Sequence, residues 1–513
     1  MKDIKWYWWL PIIFLAIFSR FYHFTQNVYF GFDEARDAFV SQAIYTQGDI
    51  KLIGPPTNGV TGLNHGVLHW YLTGILYLLG SGSPYFVAAI FRLLNALAIL
   101  PIFWITEKLL GKRAAYLAAL LFAVSFESSQ YAMYYGNPSL AVWSWISLFG
   151  GAVILLKSKN KFWGLPLMAL GVASGAQFEI FLVTLIPLAG ILLLLLKKEI
   201  PSISLKSRLT AILLGLSIFS SYILGEFKNG FRSLEIVTKI LTTGYRSSND
   251  PAWLVFLQRW ILMWHDNFWP WSSRYLWPMA VGIVIFWFFQ ARKKIEYRLL
   301  LTWIFGGILI LVLGSYNAYF INVGIGTGLI IGFAGFLDRL WDHNKVITAG
   351  LIILAMWGNL SQILVRNKEG LMEDIKTQQF MLLQDEIKVM EEMYDWAGTR
   401  SFTVRATTMP YKIQTVWAYL FTQYGKKKYH YLPYYETGNA LGFPGELPVP
   451  KKGSTCVRFL MREPYGGIPR RLIDADTQEE NLFSKVVETT EIGHFYLEKR
   501  LSKAKDCLTN NYP

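Results

Sequence analysis

Long apolar runs alternate with short basic connections along the first two thirds of the chain. A helix needs roughly 20 mostly apolar residues to cross the hydrocarbon core of a bilayer, and the runs of this kind predict about eleven spans. The predicted spans lie near residues 6–24, 85–106, 114–134, 139–156, 162–178, 180–196, 209–226, 275–290, 299–314, 318–337 and 346–365.

The basic connections indicate an orientation for these spans. The connections "EKLLGKR", "KSKNK", "KKEIPSISLKSR", "QARKKIEYR" and "DRLWDHNK" each join an even-numbered span to the next odd-numbered one, so the positive-inside rule assigns them all to the cytoplasm. Residues 65–80 are apolar but short, and a further crossing there would move these connections outside. We therefore predict an interfacial or re-entrant helix at 65–80, a cytoplasmic N-terminus, and an extracytoplasmic Asp33 and C-terminal region.

The pattern changes near residue 366. Residues 369–397 have the period of a charged amphipathic helix, "SFTVRAT" that of a strand, "YKIQTVWAYLFTQYG" that of a helix ending at Gly425, and "STCVRFLMR" and "HFYLEKRL" those of further strands. The predicted fold class is mainly α: a multi-span transmembrane helical bundle with juxtamembrane helices in residues 1–365, followed by an extracytoplasmic α+β domain in residues 366–513.

Composition agrees with a membrane protein. The chain is 53% hydrophobic and only 16% charged, which excludes an ordinary soluble enzyme. Its formal charge of +14 comes mainly from the short connections, so it indicates topology and not nucleic-acid binding. Cys456 and Cys507 form no metal motif, and whether they pair depends on the compartment. The apolar N-terminal run has no small-residue cleavage site after it, which favours a retained span in the plasma membrane.

Candidate chemistry begins just after the first span, in "YFGFDEARDAFV". Asp33 is placed to cap a helix running to Gly48, with acidic residues near the positive end of its dipole. Asp33, Arg36 and Asp37 then share one helix face and pair with one another. Such a cap is an ordinary structural feature, and it is compatible with a catalytic role.

Further polar residues fall toward the outer ends of the predicted spans. An ionisable group near hydrocarbon is costly unless it faces a protein-lined or wet cavity, so a one-sided distribution predicts a polar cleft open to the outside. For any one of these residues taken alone, a snorkelling or paired structural role is the better explanation, and only together do they favour a cleft. We expect His65, His69, Glu127, Asn137, Glu179 and Glu226 to line this cleft, with Arg92 near it. His65 and His69 have the spacing of a metal pair but no third ligand, so neither a metal nor a cofactor is predicted.

The chain resembles the GT-C class of membrane glycosyltransferases, specifically the polyprenyl-phosphate-dependent kind that includes protein O-mannosyltransferases and lipid A aminoarabinose transferases. The resemblance rests on "FDEARDA", on "LHWYLTGILYLLG" followed by "FRLLNALAILPIFWITEKLLGKRAA", on "YYGNPSLAVW" and on "EFKNGF". It implies an active site on the outer side and a donor sugar carried on dolichyl or undecaprenyl phosphate. Two positions depart from it: "TGLNHG" replaces a Glu-Lys-Pro-Pro segment whose lysine would bind donor phosphate, and Asn137 stands where some relatives have Asp.

The chemistry that we predict is hexosyl or pentosyl transfer with inversion, similar to that of a mannosyltransferase. Asp33 is the predicted base toward the acceptor hydroxyl, Arg36 binds the donor phosphate and keeps Asp33 ionised, and Glu34 orients the acceptor or Arg36. We expect further phosphate contacts from Arg92, Arg259 and Arg274.

The predicted partners are a polyprenyl-phosphate-linked sugar, membrane lipids and an acceptor protein, lipid or glycan. The C-terminal domain either positions that acceptor or only stabilises the bundle. Two other classes of function are compatible with the sequence: a transporter or flippase of lipid-linked saccharides, and a non-catalytic receptor or assembly subunit.

Overall fold

The computed structural model describes residues 9–57, 60–198, 203–243, 250–269, 273–313, 319–436, 439–440, 442–450, 455–464 and 467–507. Helices dominate up to residue 369. They are α1 Trp9–Phe21, α2 Phe32–Thr46, α3 Leu68–Leu79, α4 Pro84–Leu97, α5 Ile99–Leu110, α6 Lys112–Val124, α7 Phe126–Met133, α8 Ala141–Lys157, α9 Gly164–Phe178, α10 Leu185–Leu196, α11 Leu205–Lys228, α12 Arg232–Thr243, α13 Ala252–Asn267, α14 Ser273–Lys293, α15 Ile295–Phe305, α16 Ile325–His343 and α17 Lys345–Arg366.

Short 3₁₀ segments interrupt or extend these helices. They are Asn137–Leu140, Ile180–Thr184, Gly306–Leu313, Tyr319–Asn322 and Asn367–Glu369. The remainder of the chain forms a sheet with helices, with elements α18 Leu383–Ala397, β1 Phe402–Thr407, α19 Thr415–Leu420, α20 Lys426–Tyr429, β2 Tyr434–Tyr435, β3 Val457–Arg462, α21 Arg470–Phe483, β4 Ser484–Ile492 and β5 Phe495–Ser502.

The chain packs into two compact units that do not follow its order. The first contains Met1–Tyr22, Ile50–Tyr71 and Ala89–Val365, and the second contains His23–Asp49, Leu72–Ala88 and Arg366–Pro513. Helix α2 therefore packs with the C-terminal region. The sequence-based boundary at residue 365 grouped α2 with the bundle, and that division of the chain into domains stays a prediction.

Four helical stretches are long and apolar enough to cross a membrane: Pro84–Leu110, Asn137–Lys157, Leu205–Lys228 and Lys345–Glu369. Their environments differ, because the most apolar window of Asn137–Lys157 is 78% buried whereas that of Leu205–Lys228 is only 6% buried. Exposed leucines such as those of α11 are expected on a helix that contacts lipid. A mainly helical fold with a C-terminal sheet is confirmed, and the number of spans stays a prediction.

The structure corrects one predicted span and supports the interpretation of one short apolar segment. The run at 114–134 is broken at Ser125, whose side chain accepts a hydrogen bond from the Ser128 amide and so starts α7 as a new helix. Helix α3 has 12 residues and so extends about 18 Å, well short of a bilayer core of about 30 Å. Its length supports the interfacial or re-entrant interpretation of residues 65–80.

The predicted helix at 369–397 is wrong in its first half. Only Leu383–Ala397 is helical, because Gly370 adopts a φ of +97° and the Leu383 amide donates to the carbonyl oxygen of Val28 at 2.9 Å. The backbone of residues 381–383 thus bonds to residues 28–30 and does not continue a helix from residue 369. The helix predicted to end at Gly425 passes through a π-helical turn there and continues as α20.

The C-terminal sheet has the strand order β2-β1-β3-β5-β4, with β1 parallel to β2 and β3, and β5 antiparallel to β3 and β4. The predicted strands correspond to β1, β3 and β5, whereas β2, β4 and α21 were not predicted. Alternation separates the two faces of β1. Phe402 packs against aromatic rings, while Arg405 on the opposite face pairs with Glu480 of α21 at 2.9 Å.

The two cysteines flank the β3–β5 part of this sheet in sequence and are joined in the structure. Cys456 and Cys507 form a disulfide with a Cα–Cα distance of 5.0 Å. The bond connects the residue before β3 to the segment after β5. The pairing that the sequence left open is therefore present.

Candidate active site

Helix α2 begins in a way that leaves Asp33 available for other contacts. Gly31 is the N-cap residue, and Glu34 accepts a hydrogen bond from its amide at 3.2 Å, so the predicted cap at Asp33 is wrong. A side chain at position 31 would meet the ring of buried Tyr29, since a Cβ there would lie 2.5 Å from the Tyr29 hydroxyl. Glycine thus permits the close turn, and Asp33 sits in the first helical turn.

Five charged side chains meet at this turn. Arg36 Nη1 lies 2.8 Å from Asp33 Oδ1, and Arg36 Nη2 lies 2.8 Å from Asp37 Oδ1. Lys376 Nζ lies 2.9 Å from Asp33 Oδ2 and 3.0 Å from Glu34 Oε1. The predicted pairing of Asp33, Arg36 and Asp37 on one face is confirmed. Asp33 therefore has one cation on each carboxylate oxygen.

Lys376 is a site residue that the sequence analysis missed. Its segment is held by the backbone: Tyr29 and Leu382 form an antiparallel bridge, and the Phe30 amide donates to the Met381 carbonyl at 2.9 Å. The Lys376 ammonium also lies 5.5 Å from the centre of the Tyr29 ring. This backbone pairing brings Lys376 to α2, although the lysine is more than 340 residues from Asp33 in sequence. No periodicity in the sequence indicates such a pairing.

Asp33 and Glu34 differ in their protonation. Partial burial raises the pKa of Asp33, but the charges of Lys376 and Arg36 outweigh burial and hold that pKa below its ordinary value. Burial raises the pKa of Glu34, and the charge of Asp33 adds to that increase against the opposing effect of Lys376. The Asp33 side chain is 34% exposed and that of Glu34 is 1% exposed. The site thus offers an ionised, accessible carboxylate beside a buried, more easily protonated one.

The other end of α2 is fixed by a second set of contacts. Gln42 Nε2 donates to the Tyr419 hydroxyl at 3.0 Å, and that hydroxyl donates to the Gly82 carbonyl at 2.6 Å. The ring of Tyr419 also packs edge-on against Phe39. These contacts hold α2 against α19 within the same unit, so the site is built on a rigid helix.

Glu127 lies in the first unit, within a network of amides. Its Oε2 accepts from Asn267 Nδ2 at 2.6 Å, and Asn267 Oδ1 accepts from the Ser125 hydroxyl at 2.6 Å. Asn359 joins the network by donating to the Asn267 carbonyl at 2.7 Å and accepting from the Phe126 amide at 2.8 Å. In the part of the chain that the structure describes, no cation contacts Glu127. The network therefore ties the α6–α7 break to α13 and α17.

Two other predicted cleft residues are neighbours in the same unit. His65 Nδ1 lies 3.8 Å from Glu179 Oε1, and Glu179 is also the N-cap of the 3₁₀ segment that follows it, accepting from the Phe181 amide at 3.3 Å. His69 is buried, with its ring edge-on to Phe91. Among the described residues, no group of three or more His, Cys, Asp or Glu side chains is arranged to hold a metal ion.

Asn137 and Glu226 occupy different settings. Asn137 is buried at the start of its 3₁₀ segment, and its Oδ1 has no hydrogen-bond partner among the described residues. Glu226 is half-buried near the end of α11 and accepts from the Leu234 amide at 3.4 Å. Its contact links α11 to α12.

The predicted phosphate-binding arginines are also dispersed. Arg92 is fully buried and donates to the Arg20 carbonyl at 3.0 Å, while Arg20 donates to the Phe122 carbonyl at the end of α6. Arg259 lies over the ring of Tyr319 at 5.9 Å. Arg274 lies in the first turn of α14, and its side chain is outside the described residues. Of the predicted phosphate ligands whose side chains the structure describes, Arg36 is the one in contact with Asp33.

Sequence comparison identifies no relatives: no protein-family model matches the chain, and no curated protein matches it. Among solved structures, the chain is similar to the ArnT of Cupriavidus metallidurans. In the apo state the TM-score is 0.62 at 11% identity, covering 96% of this chain and 97% of ArnT. In the complex with undecaprenyl phosphate the TM-score is 0.58 at 11% identity, covering 96% of this chain and 98% of ArnT.

At this identity the likeness establishes the fold, and it does so over nearly the whole of both chains. The resemblance to membrane GT-C transferases that the sequence motifs indicated is thereby confirmed at the level of the fold.

Proposed function

We propose that the protein is an integral membrane glycosyltransferase that moves a sugar from a polyprenyl phosphate to an acceptor hydroxyl. The observation that supports this proposal best is the first turn of α2, where Asp33 is held between Arg36 and Lys376. Similarity of fold to an ArnT that was crystallised with undecaprenyl phosphate supports the choice of donor.

The transfer is a single displacement with inversion. The acceptor oxygen attacks the anomeric carbon and forms the new glycosidic bond, while the bond from that carbon to the phosphate oxygen breaks and the polyprenyl phosphate leaves with its electron pair. Asp33 takes the proton of the acceptor hydroxyl. Because positive charge develops on the sugar in the transition state, the incoming hydroxyl becomes more acidic and a weakly basic carboxylate suffices.

Arg36 and Lys376 bind the donor phosphate in this proposal. Both cations are adjacent to the carboxylate that must meet the acceptor, so a phosphate bound by them is close to Asp33. Lys376 takes the role of the lysine that is missing from the "TGLNHG" segment. When phosphate draws Lys376 away from Asp33, the carboxylate loses a stabilising charge and becomes a stronger base.

The remaining predicted residues have supporting roles. Glu34 holds the Gly31 amide and Lys376, which orients the phosphate-binding cation. We propose structural roles for Arg92, whose guanidinium bonds to backbone, and for Glu127, whose partners are amides. Arg259 and Arg274 stay candidate phosphate contacts.

We infer that the second unit faces the extracytoplasmic side of the cell membrane. The Cys456–Cys507 disulfide favours an oxidising compartment. The same orientation follows from the basic connections of the bundle, which the positive-inside rule assigns to the cytoplasm. Asp33 and the C-terminal sheet then share the side on which a lipid-linked sugar is presented.

The experiment that tests the function is donor consumption. Purified protein is incubated with a panel of undecaprenyl- and dolichyl-phosphate sugars and membrane extract as the acceptor source, and each donor is followed by mass spectrometry. A transferase converts one donor to free polyprenyl phosphate, and Asp33→Asn does not. Translocation of an intact donor across vesicles by both proteins, without consumption, would instead establish a flippase.

A further inference from the structure

A basic cavity lies at one end of the first unit, away from the residues already discussed. Its volume is 560 Å³, and it lies between the ends of α5 and α10, the α14–α15 junction and the middle of α16. Helix α16 contacts both Glu127 and the cavity. Gly326 packs against Glu127, and Arg339 lines the cavity 13 residues, about 20 Å, further along the helix. The cavity is therefore separate from the Glu127 network.

The lining of this cavity is strongly cationic. Two acidic and five basic residues contribute to it: Glu296, Asp338, Lys198, Lys293, Lys294, Arg298 and Arg339. Both acids are already paired with cations that do not line the cavity, Glu296 with Lys157 and Asp338 with Arg113. Within the described part of the chain, Lys198 and Lys293 form no ion pair. The cavity thus carries positive charge that its own acids do not neutralise.

The same cavity has an apolar border. Leu109, Leu110 and Leu195 line it beside the cations. Leu194, next to Leu195 on α10, is 73% exposed on a helix in which nine of the 12 residues are leucine or isoleucine. An exposed surface of this kind contacts hydrocarbon in a membrane protein. Cations next to a lipid-facing leucine surface fit a molecule with an anionic head and an apolar tail.

We propose that this cavity binds the phosphate headgroup of an anionic membrane phospholipid. The lysines and Arg339 contact the phosphate, and the acyl chains lie along Leu195 and the exposed face of α10. The positive-inside rule accounts for basic residues near the ends of spans, but it does not require them to surround a volume of this size. The proposal does not depend on the transferase reaction.

The test compares lipid binding by two variants with the same change in charge. One is Lys198→Gln/Lys293→Gln/Lys294→Gln, in the cavity. The other is Lys426→Gln/Lys427→Gln/Lys428→Gln, on the surface helix α20. Delipidated full-length protein is titrated with phosphatidylglycerol, phosphatidylcholine and inorganic phosphate, and bound lipid is counted by native mass spectrometry. The thermal unfolding midpoint confirms that each variant is folded.

We expect phosphatidylglycerol to bind the wild type in preference to phosphatidylcholine. The cavity variant should lose about tenfold or more in affinity, and the α20 variant less than about twofold, because only the cavity lysines lie where they attract the anionic headgroup. Equal losses in both variants, or no loss in the cavity variant, would overturn the proposal. Competition by inorganic phosphate at concentrations equal to those of the lipid would overturn it as well, in favour of a site for free phosphate.

Discussion

Asp33 and Glu127 are both carboxylates predicted to be functional, Asp33 as the base and Glu127 as a lining residue of the polar cleft, yet their surroundings are of opposite kinds. Asp33 is partly exposed and contacts two cations, whereas Glu127 is 2% exposed and contacts the Asn267 amide. Two cations stabilise the ionised form and can exchange the carboxylate for another anion such as a phosphate. An amide network gives a buried carboxyl a fixed hydrogen-bond partner but no opposite charge to stabilise its ionised form. Exposure and cationic partners therefore distinguish a candidate catalytic carboxylate from an architectural one.

Glu463 extends the comparison to the C-terminal sheet. It accepts hydrogen bonds from Gln378, the Met409 amide and the Trp417 indole, at 2.9, 2.8 and 3.0 Å. Burial raises its pKa to about 7 against the opposing effect of these three donors. Three uncharged hydrogen-bond donors thus do not lower the pKa of Glu463 below its ordinary value, whereas two cations lower that of Asp33.

Apart from replacement of Asp33 itself, the largest effect on transfer is expected for Lys376→Met. Losing one charge-assisted contact to the donor phosphate should raise the KM for donor about 10- to 100-fold, since such a contact contributes roughly 1.5 to 3 kcal/mol. Steady-state kinetics with the identified donor measure it. The matched control is Lys388→Met, which removes an exposed lysine that also pairs with an aspartate, Asp385. Equal KM values for the two variants would remove Lys376 from the phosphate site.

The same variant should change the pH dependence of transfer. Lys376 lowers the pKa of Asp33, so removing it raises that pKa toward its ordinary value, and the acid limb of kcat/KM moves to higher pH. In the wild type, Asp33 stays ionised at any pH above its ordinary pKa. A pH profile of kcat/KM for both proteins measures the shift, and a shift to lower pH would contradict the assignment of Asp33 as the base.

Glu463 should make the stability of the wild type depend on pH. Because its folded-state pKa is raised above 4.5 to about 7, the protonated carboxyl stabilises the folded state below pH 4.5, and this contribution is lost as the pH rises to 7. The loss amounts to at most ~3 kcal/mol. Thermal unfolding at pH 5 and pH 8 should therefore show a smaller pH effect in Glu463→Gln than in the wild type. An unchanged pH effect would mean that Glu463 is ionised throughout.

The smallest effect on transfer is expected for Glu127. Glu127→Ala removes the acceptor of the Asn267 amide and should lower the free energy of unfolding by about 1 to 3 kcal/mol, with turnover per folded molecule within about threefold of wild type. Glu127→Gln retains an acceptor for Asn267 and should restore most of the stability. If Glu127→Gln were folded but inactive, the distinction between the two carboxylates would fail.

Local spacing explains which parts of the candidate site were predictable. Asp33, Arg36 and Asp37 are three and four residues apart, so a helix alone brings them together. The predicted N-cap was misplaced by two residues. Helix α2 begins after Gly31, whose amide bonds to the Glu34 side chain, so Asp33 is not needed as the capping carboxylate. Lys376 was not predictable, because the backbone pairing of residues 28–30 with 381–383 has no counterpart in hydrophobic periodicity.

Similar reasoning applies to the fold. Apolar runs predicted helices well, because a helix is apolar both where it is buried in the protein and where it is suited to contact hydrocarbon. Helix α8 illustrates the first case and α11 the second. The apolar run at 114–134 hid the break at Ser125. There a side-chain hydroxyl replaces a helical hydrogen bond, and the run of apolar residues is not interrupted. Strand β4 was missed because it is an exposed edge with several charged residues. Its pairing with β5 and not its own composition makes it a strand.

The central claim is that the Asp33 carboxylate accepts the acceptor proton, and the single-turnover rate of sugar transfer tests it most directly. Enzyme saturated with donor is mixed with acceptor, and wild type, Asp33→Asn and Asp37→Asn are compared at equal donor occupancy. Asp33→Asn should bind donor as well as wild type or better, because Arg36 and Lys376 are released, yet transfer it about 10²- to 10⁴-fold more slowly. Asp37→Asn should stay within about tenfold of wild type. A wild-type transfer rate in Asp33→Asn would contradict the claim.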